Sequence, residues 1–237
     1  MEIHNTLNQK LFTDDKLKPE VRDRIKEIVD AFVDGLAIKP KVLDIQLVGS
    51  NVSYNYTPYS DLDVHIVTNF ETICPDVSIV QALYNAEKAQ FNKNHDITLK
   101  GINVELYVED VGAGTASNGV YSVLEDDWIK YPQKLGSVPE YDLSREVSIW
   151  SEKIKNALEN GTKDEVSDLI DRLYMVRKNS ILVDGEYGRG NQLFKEIRNI
   201  GLLDELKEKS HELLSHELSL ESIAENYTVG QMLYLDF

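Results

Sequence analysis

Little in this chain points to covalent cross-links, membranes or a basic surface. Its 237 residues contain a single cysteine, Cys74, which excludes an intrachain disulfide framework and a cysteine-rich zinc site. That thiol is read as a packed side chain rather than a nucleophile. No apolar run reaches the length of a membrane span. The opening residues, Met1-Glu-Ile-His-Asn, show no basic stretch followed by an apolar one, so a cytoplasmic setting without a secretory signal is expected. Positive charge is scarce: 25 lysines and arginines face 41 aspartates and glutamates, a formal net charge of -16. Such a surface repels phosphate backbones, so extended nucleic acid is disfavoured as a partner, whereas a nucleotide chelated to a metal ion remains compatible. There is no internal repeat, and no glycine-rich loop has the spacing of a Walker P-loop. What remains is a hydrophobic fraction of 42%, normal for a globular chain of this length.

The most informative stretch is residues 47–67, Leu-Val-Gly-Ser-Asn-Val-Ser-Tyr-Asn-Tyr-Thr-Pro-Tyr-Ser-Asp-Leu-Asp-Val-His-Ile-Val. A strand over 42–48 runs into Gly49-Ser50, a polar excursion follows over 51–60, and a second strand over 62–67 opens on paired aspartates. Because a strand alternates its faces, Asp61 and Asp63 share one side with His65, while Leu62, Val64 and Ile66 share the other. Two neighbouring carboxylates beside a small-residue turn suit a magnesium-nucleotide site. His65 is a candidate for positioning a phosphate or an acceptor, or a plain packing residue. Tyr54, Tyr56 and Tyr59 are candidates for stacking on a base, or for packing the turn.

Elsewhere, apolar spacing predicts a helix over 19–36, with Pro19 in its first turn, and another over 75–91. Residues 96–108 read as a hairpin turning at Lys100-Gly101, with Ile102, Val104, Leu106 and Val108 on one face of its second arm. Asn103, Glu105 and Tyr107 lie on the other. Gly112–Gly119 is a small-residue loop, structure resumes over 119–128, and 131–141 has linker composition. Helices then follow: one capped by Ser144 and closed at Asn160-Gly161, one from Thr162 through Ile181, and two shorter ones over 191–200 and 202–214. Asn191 is the expected cap of the third. The end of the chain, Tyr234–Phe237, is read as a docked strand or helix terminus. The predicted fold class is α+β, a mixed sheet with flanking helices over 1–140 followed by a helical domain over 141–237.

The hydrophobic strand, Gly49-Ser50, a ten-residue gap, Ser60-Asp61-x-Asp63 and a hydrophobic strand end together resemble the signature of the DNA polymerase β-like nucleotidyltransferase superfamily. The resemblance covers roughly residues 40–110. It implies a magnesium-dependent transfer of a nucleoside monophosphate from an NTP donor to a hydroxyl acceptor, with manganese as a substitute metal. It also implies metal-ligand roles for Asp61 and Asp63, and nucleotide contacts from Gly49, Ser50 and Ser60. Glu105 takes the place of the third carboxylate. Aspartate is commoner there, which leaves Asp96 and Glu109 as fallbacks. A basic cluster, Arg177-Lys178 with Lys195 and Arg198 one turn apart on a helix face, matches the cations that a helical second domain often supplies to the triphosphate. More loosely, Tyr121-Ser122 through Trp128, and Gly185-Glu186 through Asn191, Phe194-Lys195 and Arg198, are similar to nucleotidyltransferase-domain proteins of tailed bacteriophages. The acidic charge favours a small-molecule or protein acceptor. Alternatives are a catalytically silent nucleotide- or partner-binding module of the same fold, and a terminal nucleotidyltransferase acting on RNA such as tRNA.

Overall fold

The computed structural model describes residues 3–114, 117–134, 139 and 141–219, and the chain divides into two compact units, Met1–Ser137 and Val138–Phe237. The fold class is α+β.

The first unit opens with a small hairpin, β1 (Phe12–Thr13) and β2 (Lys16–Leu17). Its two-residue turn places Asp14 and Asp15 at φ 48° and 63°, both left-handed, which is the twist that joins tightly turned antiparallel strands. Helix α1 (Pro19–Gly35) follows, begun by the ring-fixed φ of Pro19. It buries Val21, Ile25, Ile28, Val29 and Phe32, a single stripe at helical spacing. Each such side chain, fully buried, contributes about 1.5–3 kcal/mol.

Six strands form the main sheet: β3 (Asp44–Val48), β4 (Leu62–Thr68), β5 (Thr98–Leu99), β6 (Ile102–Asp110), β7 (Val120–Ser122) and β8 (Asp127–Lys130). Their order is β5-β6-β4-β3-β7-β8, with β4 and β6 parallel and every other pairing antiparallel. The parallel pair requires a crossover, and α2 (Val77–Asn94) supplies it, lying against β6. Asp76, which falls inside the expected 75–91 helix, instead caps α2 by accepting from the Ser78 N–H, so the helix begins at Val77. Val80 and Tyr84 are the buried residues of α2, whereas its Val77 and Ala89 are exposed. Leu62, Val64 and Ile66 are completely buried in the core of this unit, together with the apolar faces of α1 and β6. Cys74 packs at the edge of that core.

The second unit is helical: α3 (Ser144–Asn160), α4 (Lys163–Asp184), α5 (Arg189–Asn199) and α6 (Leu202–Leu218). Ile154, Val166, Leu173, Phe194, Ile197 and Leu206 lie in its core. Two expected caps are corrected. Ser144 is the first helical residue of α3, and its N–H is satisfied by Asp142 instead. Asn191 lies inside α5, buried, and Gly188 stands at the cap because only a residue without a side chain fits against Ser180 there. Helix α6 runs one turn past the expected 202–214. Gly136 and the terminal Tyr234–Phe237 lie outside the described residues. Among the described residues, no helix is long and apolar enough to cross a membrane.

Candidate active site

Strand β3 ends at Val48, which pairs with Asp63 on β4, and Gly49 turns the chain at φ 81°. That conformation favours glycine, and a Cβ at Gly49 would stand 2.2 Å from Asp63 Oδ2, so the carboxylate would have to shift. The Asp63 carboxylate therefore lies directly against the turn. A single 3-10 turn, Ser50–Val52, starts the polar excursion. Asn51, 1% exposed, donates from Nδ2 to the carbonyls of Ser60 at 3.0 Å and Asp61 at 2.8 Å, and its Oδ1 accepts from Asn8 at 2.7 Å. Ser50 Oγ donates to Ser60 Oγ at 2.8 Å, and that oxygen also accepts the Thr57 N–H at 2.9 Å. The two ends of the excursion are thus pinned together, which brings Gly49, Ser50, Ser60 and Asp61 to one place.

The Gly49 N–H, expected to face a phosphate, donates to Ser117 Oγ at 3.0 Å. Ser117 Oγ in turn donates to the Gly119 carbonyl at 2.8 Å. The small-residue loop therefore braces the turn at its described residue Ser117.

The carboxylates come together through the parallel pairing. In the β4–β6 register Asp63 stands opposite Glu105, and His65 opposite Tyr107. Adjacent strands lie roughly 4.8 Å apart, so these side chains are direct neighbours on the half-buried face. The Tyr107 hydroxyl donates to Glu105 Oε2 at 2.5 Å. Burial above all, then that hydrogen bond, then the charges of Glu105, Asp63 and Asp61, hold the Tyr107 phenol protonated far above its usual range. The register alone brings Asp63 and Glu105 side by side, and Asp61 directly precedes β4. Lys88, from α2, sets its ammonium 3.4 Å from the Tyr107 ring centroid. Burial pushes the Lys88 pKa down, opposed by the charges of Glu105 and Asp63.

The fallback carboxylates are placed elsewhere. Glu109 Oε2 lies 2.6 Å from His65 Nδ1, so it orients the imidazole. Asp96 is exposed ahead of β5. Of the loop tyrosines, Tyr56 stacks on His4 with ring centroids 3.8 Å apart, Tyr54 meets Tyr131, and Tyr59 is exposed. Lys195 and Arg198 lie on α5 in the second unit, both half-buried, and so in a different compact unit from the carboxylates. Arg177 of the same cluster sits over the Phe194 ring, 4.9 Å from its centroid.

Among the described residues no three histidine, cysteine or acidic groups are gathered into a ready-made metal cage. The residue types nevertheless suit a hard divalent cation, which takes carboxylate oxygens: Asp63 stands opposite Glu105 in register and Asp61 directly precedes β4. Sequence alternation set Asp63 and Glu105 each on one face of its own strand. It could not place Tyr107 as the partner of Glu105, although the two share a face. Lys88, Asn8, Asn51 and Ser117 reach the site through tertiary packing, for which a single sequence carries no signal. Compared with protein-family models, with curated proteins and with solved structures, the chain matches none.

Proposed function

We propose that this chain is a magnesium-dependent nucleotidyltransferase that moves a nucleoside monophosphate from an NTP to a hydroxyl of a small molecule or a protein. The observation that carries the reading is the patch itself: Asp61 and Asp63 beside the Gly49-Ser50 turn, with Glu105 opposite Asp63 on the parallel strand. Asp61, Asp63 and Glu105 would hold the metal. Bound there, a divalent ion supplies charge stabilisation to the phosphates and the departing pyrophosphate. Ser50 and Ser60 would offer hydroxyls to the terminal phosphates, and Glu105 would accept the proton of the attacking hydroxyl. The new bond joins the acceptor oxygen to the α-phosphorus, the bond to the β-phosphate oxygen breaks, and pyrophosphate leaves. The net charge of -16 favours a compact acceptor over a long polyanion.

A second reading has its own support. The Gly49 N–H is already bonded to Ser117 and Glu105 to Tyr107, an arrangement that also suits a nucleotide-binding module without turnover. Calorimetry of each NTP with magnesium, on wild type and on the Asp61→Asn/Asp63→Asn double variant, tests both. Metal-dependent binding abolished in the double variant is the expected result, and a folded wild type that binds no NTP would remove the enzyme reading. Glu105→Gln then separates the two: an enzyme retains binding and loses turnover, while a binding module has no turnover to lose.

A further inference from the structure

Glutamate reaches one methylene further than aspartate and has one more free torsion, so a glutamate serving as a metal ligand needs something to hold its carboxylate still. The structure provides it on the same strand. The Tyr107 hydroxyl bonds Glu105 Oε2 at 2.5 Å, a short bond of the charge-assisted kind. The ring that carries the hydroxyl is itself held. His65 packs beside it with centroids 4.9 Å apart, and Lys88 caps it at 3.4 Å. His65 in turn is tied to Glu109 at 2.6 Å, with both side chains mostly buried. The contacts form one chain across β4 and β6: Glu109 holds His65, His65 and Lys88 confine Tyr107, and Tyr107 holds Glu105. The hydrogen bond leaves Oε1 and a lone pair of Oε2 open to a cation.

We propose that Tyr107 is a positioning residue for Glu105, fixing the third carboxylate for the divalent ion. The inference rests on the metal-site reading above, and it assigns a role to a residue outside the proposed ligand set. Tyr107→Phe is the informative variant because it removes the hydroxyl alone and keeps the ring on which Lys88 and His65 pack.

The test is Mn2+ affinity of the full chain, read from the electron paramagnetic resonance signal of free Mn2+, in wild type, Tyr107→Phe, Glu105→Gln and the Tyr107→Phe/Glu105→Gln pair. Loss of a group that orients a metal ligand typically weakens affinity about 10–100-fold, and that loss is expected for Tyr107→Phe with the thermal midpoint of unfolding little changed. In the Glu105→Gln background the same change should lower affinity no further, because the hydroxyl acts through Glu105. Equal Mn2+ affinity in wild type and Tyr107→Phe overturns the inference and leaves the metal site standing. An equal loss in both backgrounds also overturns it, since the hydroxyl would then act by another route. If wild type binds no Mn2+, or binds it no better than Asp61→Asn/Asp63→Asn, the metal-site reading falls and this inference with it.

Discussion

At Gly49 two demands coincide, a left-handed φ of 81° and a neighbouring carboxylate oxygen where a Cβ would stand. Gly49→Ala therefore has to move either the turn or Asp63. The expected outcome is a loss of roughly 1–3 kcal/mol in stability, the usual cost of forcing such a backbone, with weaker metal-dependent NTP binding. Urea unfolding and calorimetry read the two effects separately, and an alanine variant with unchanged midpoint and unchanged binding contradicts the close approach. The residues of this turn were legible in the sequence because Gly49, Ser50, Ser60, Asp61 and Asp63 belong to one short segment, and alternation along β4 fixes the face of Asp63. Glu105 was legible for the same reason within its own strand. Its partner across the sheet was not, since register between distant strands is set by packing of Leu62, Val64 and Ile66 against the core and leaves no local trace.

Among the secondary elements, those with strong local chemistry were the ones the sequence announced. Lys100-Gly101 turns β5 into β6 with φ of 52° and 76°, the paired left-handed turn that glycine favours. The β1–β2 turn has the same geometry but is built from Asp14-Asp15, with strands of two residues, too short for periodicity to register. Helix α4 begins on a reciprocal capping box, in which Thr162 and Glu165 satisfy each other's backbone N–H groups. Thr162→Ala is expected to cost about 1 kcal/mol, seen as a lower urea midpoint at unchanged slope. A midpoint equal to wild type would mean that water replaces the cap without loss. At α5 the sequence favoured Asn191 as the cap, because asparagine caps well by local rules. The helix begins earlier because Gly188 and Gly190 let it press against Ser180 and Val176 of α4.

For the whole molecule, protonation at high pH is the property with the clearest sign. The Tyr121 phenol, buried and donating to Asp126, is pushed up to about 12, and Tyr84 and Tyr107 are raised as well, each chiefly by burial. An unfolded tyrosine ionises near a pH of about 10, so folding favours the neutral phenol. The stability from these groups is intact below about pH 10 and declines as pH rises towards about 12. Lys88 works in the opposite direction, because burial lowers its pKa and its loss of a proton relieves the fold. Of the 12 tyrosines, the buried ones should ionise only as the fold is lost, so tyrosinate absorbance should rise in two phases, the later coinciding with unfolding. A single phase near pH 10 in the still-folded protein would contradict their burial. The parallel pairing of β4 with β6 has one more consequence, for biosynthesis. Strand β4 reaches its partner β3 early, but its other edge stays open until the chain has been made through α2 and β6. During that interval the nascent protein carries an unpaired edge on what becomes a central strand, the kind of surface that recruits other unfinished chains. A ribosome stalled between residues 70 and 100 would release a fragment prone to aggregate, and the same wait makes the carboxylate patch a late event in the maturation of the chain.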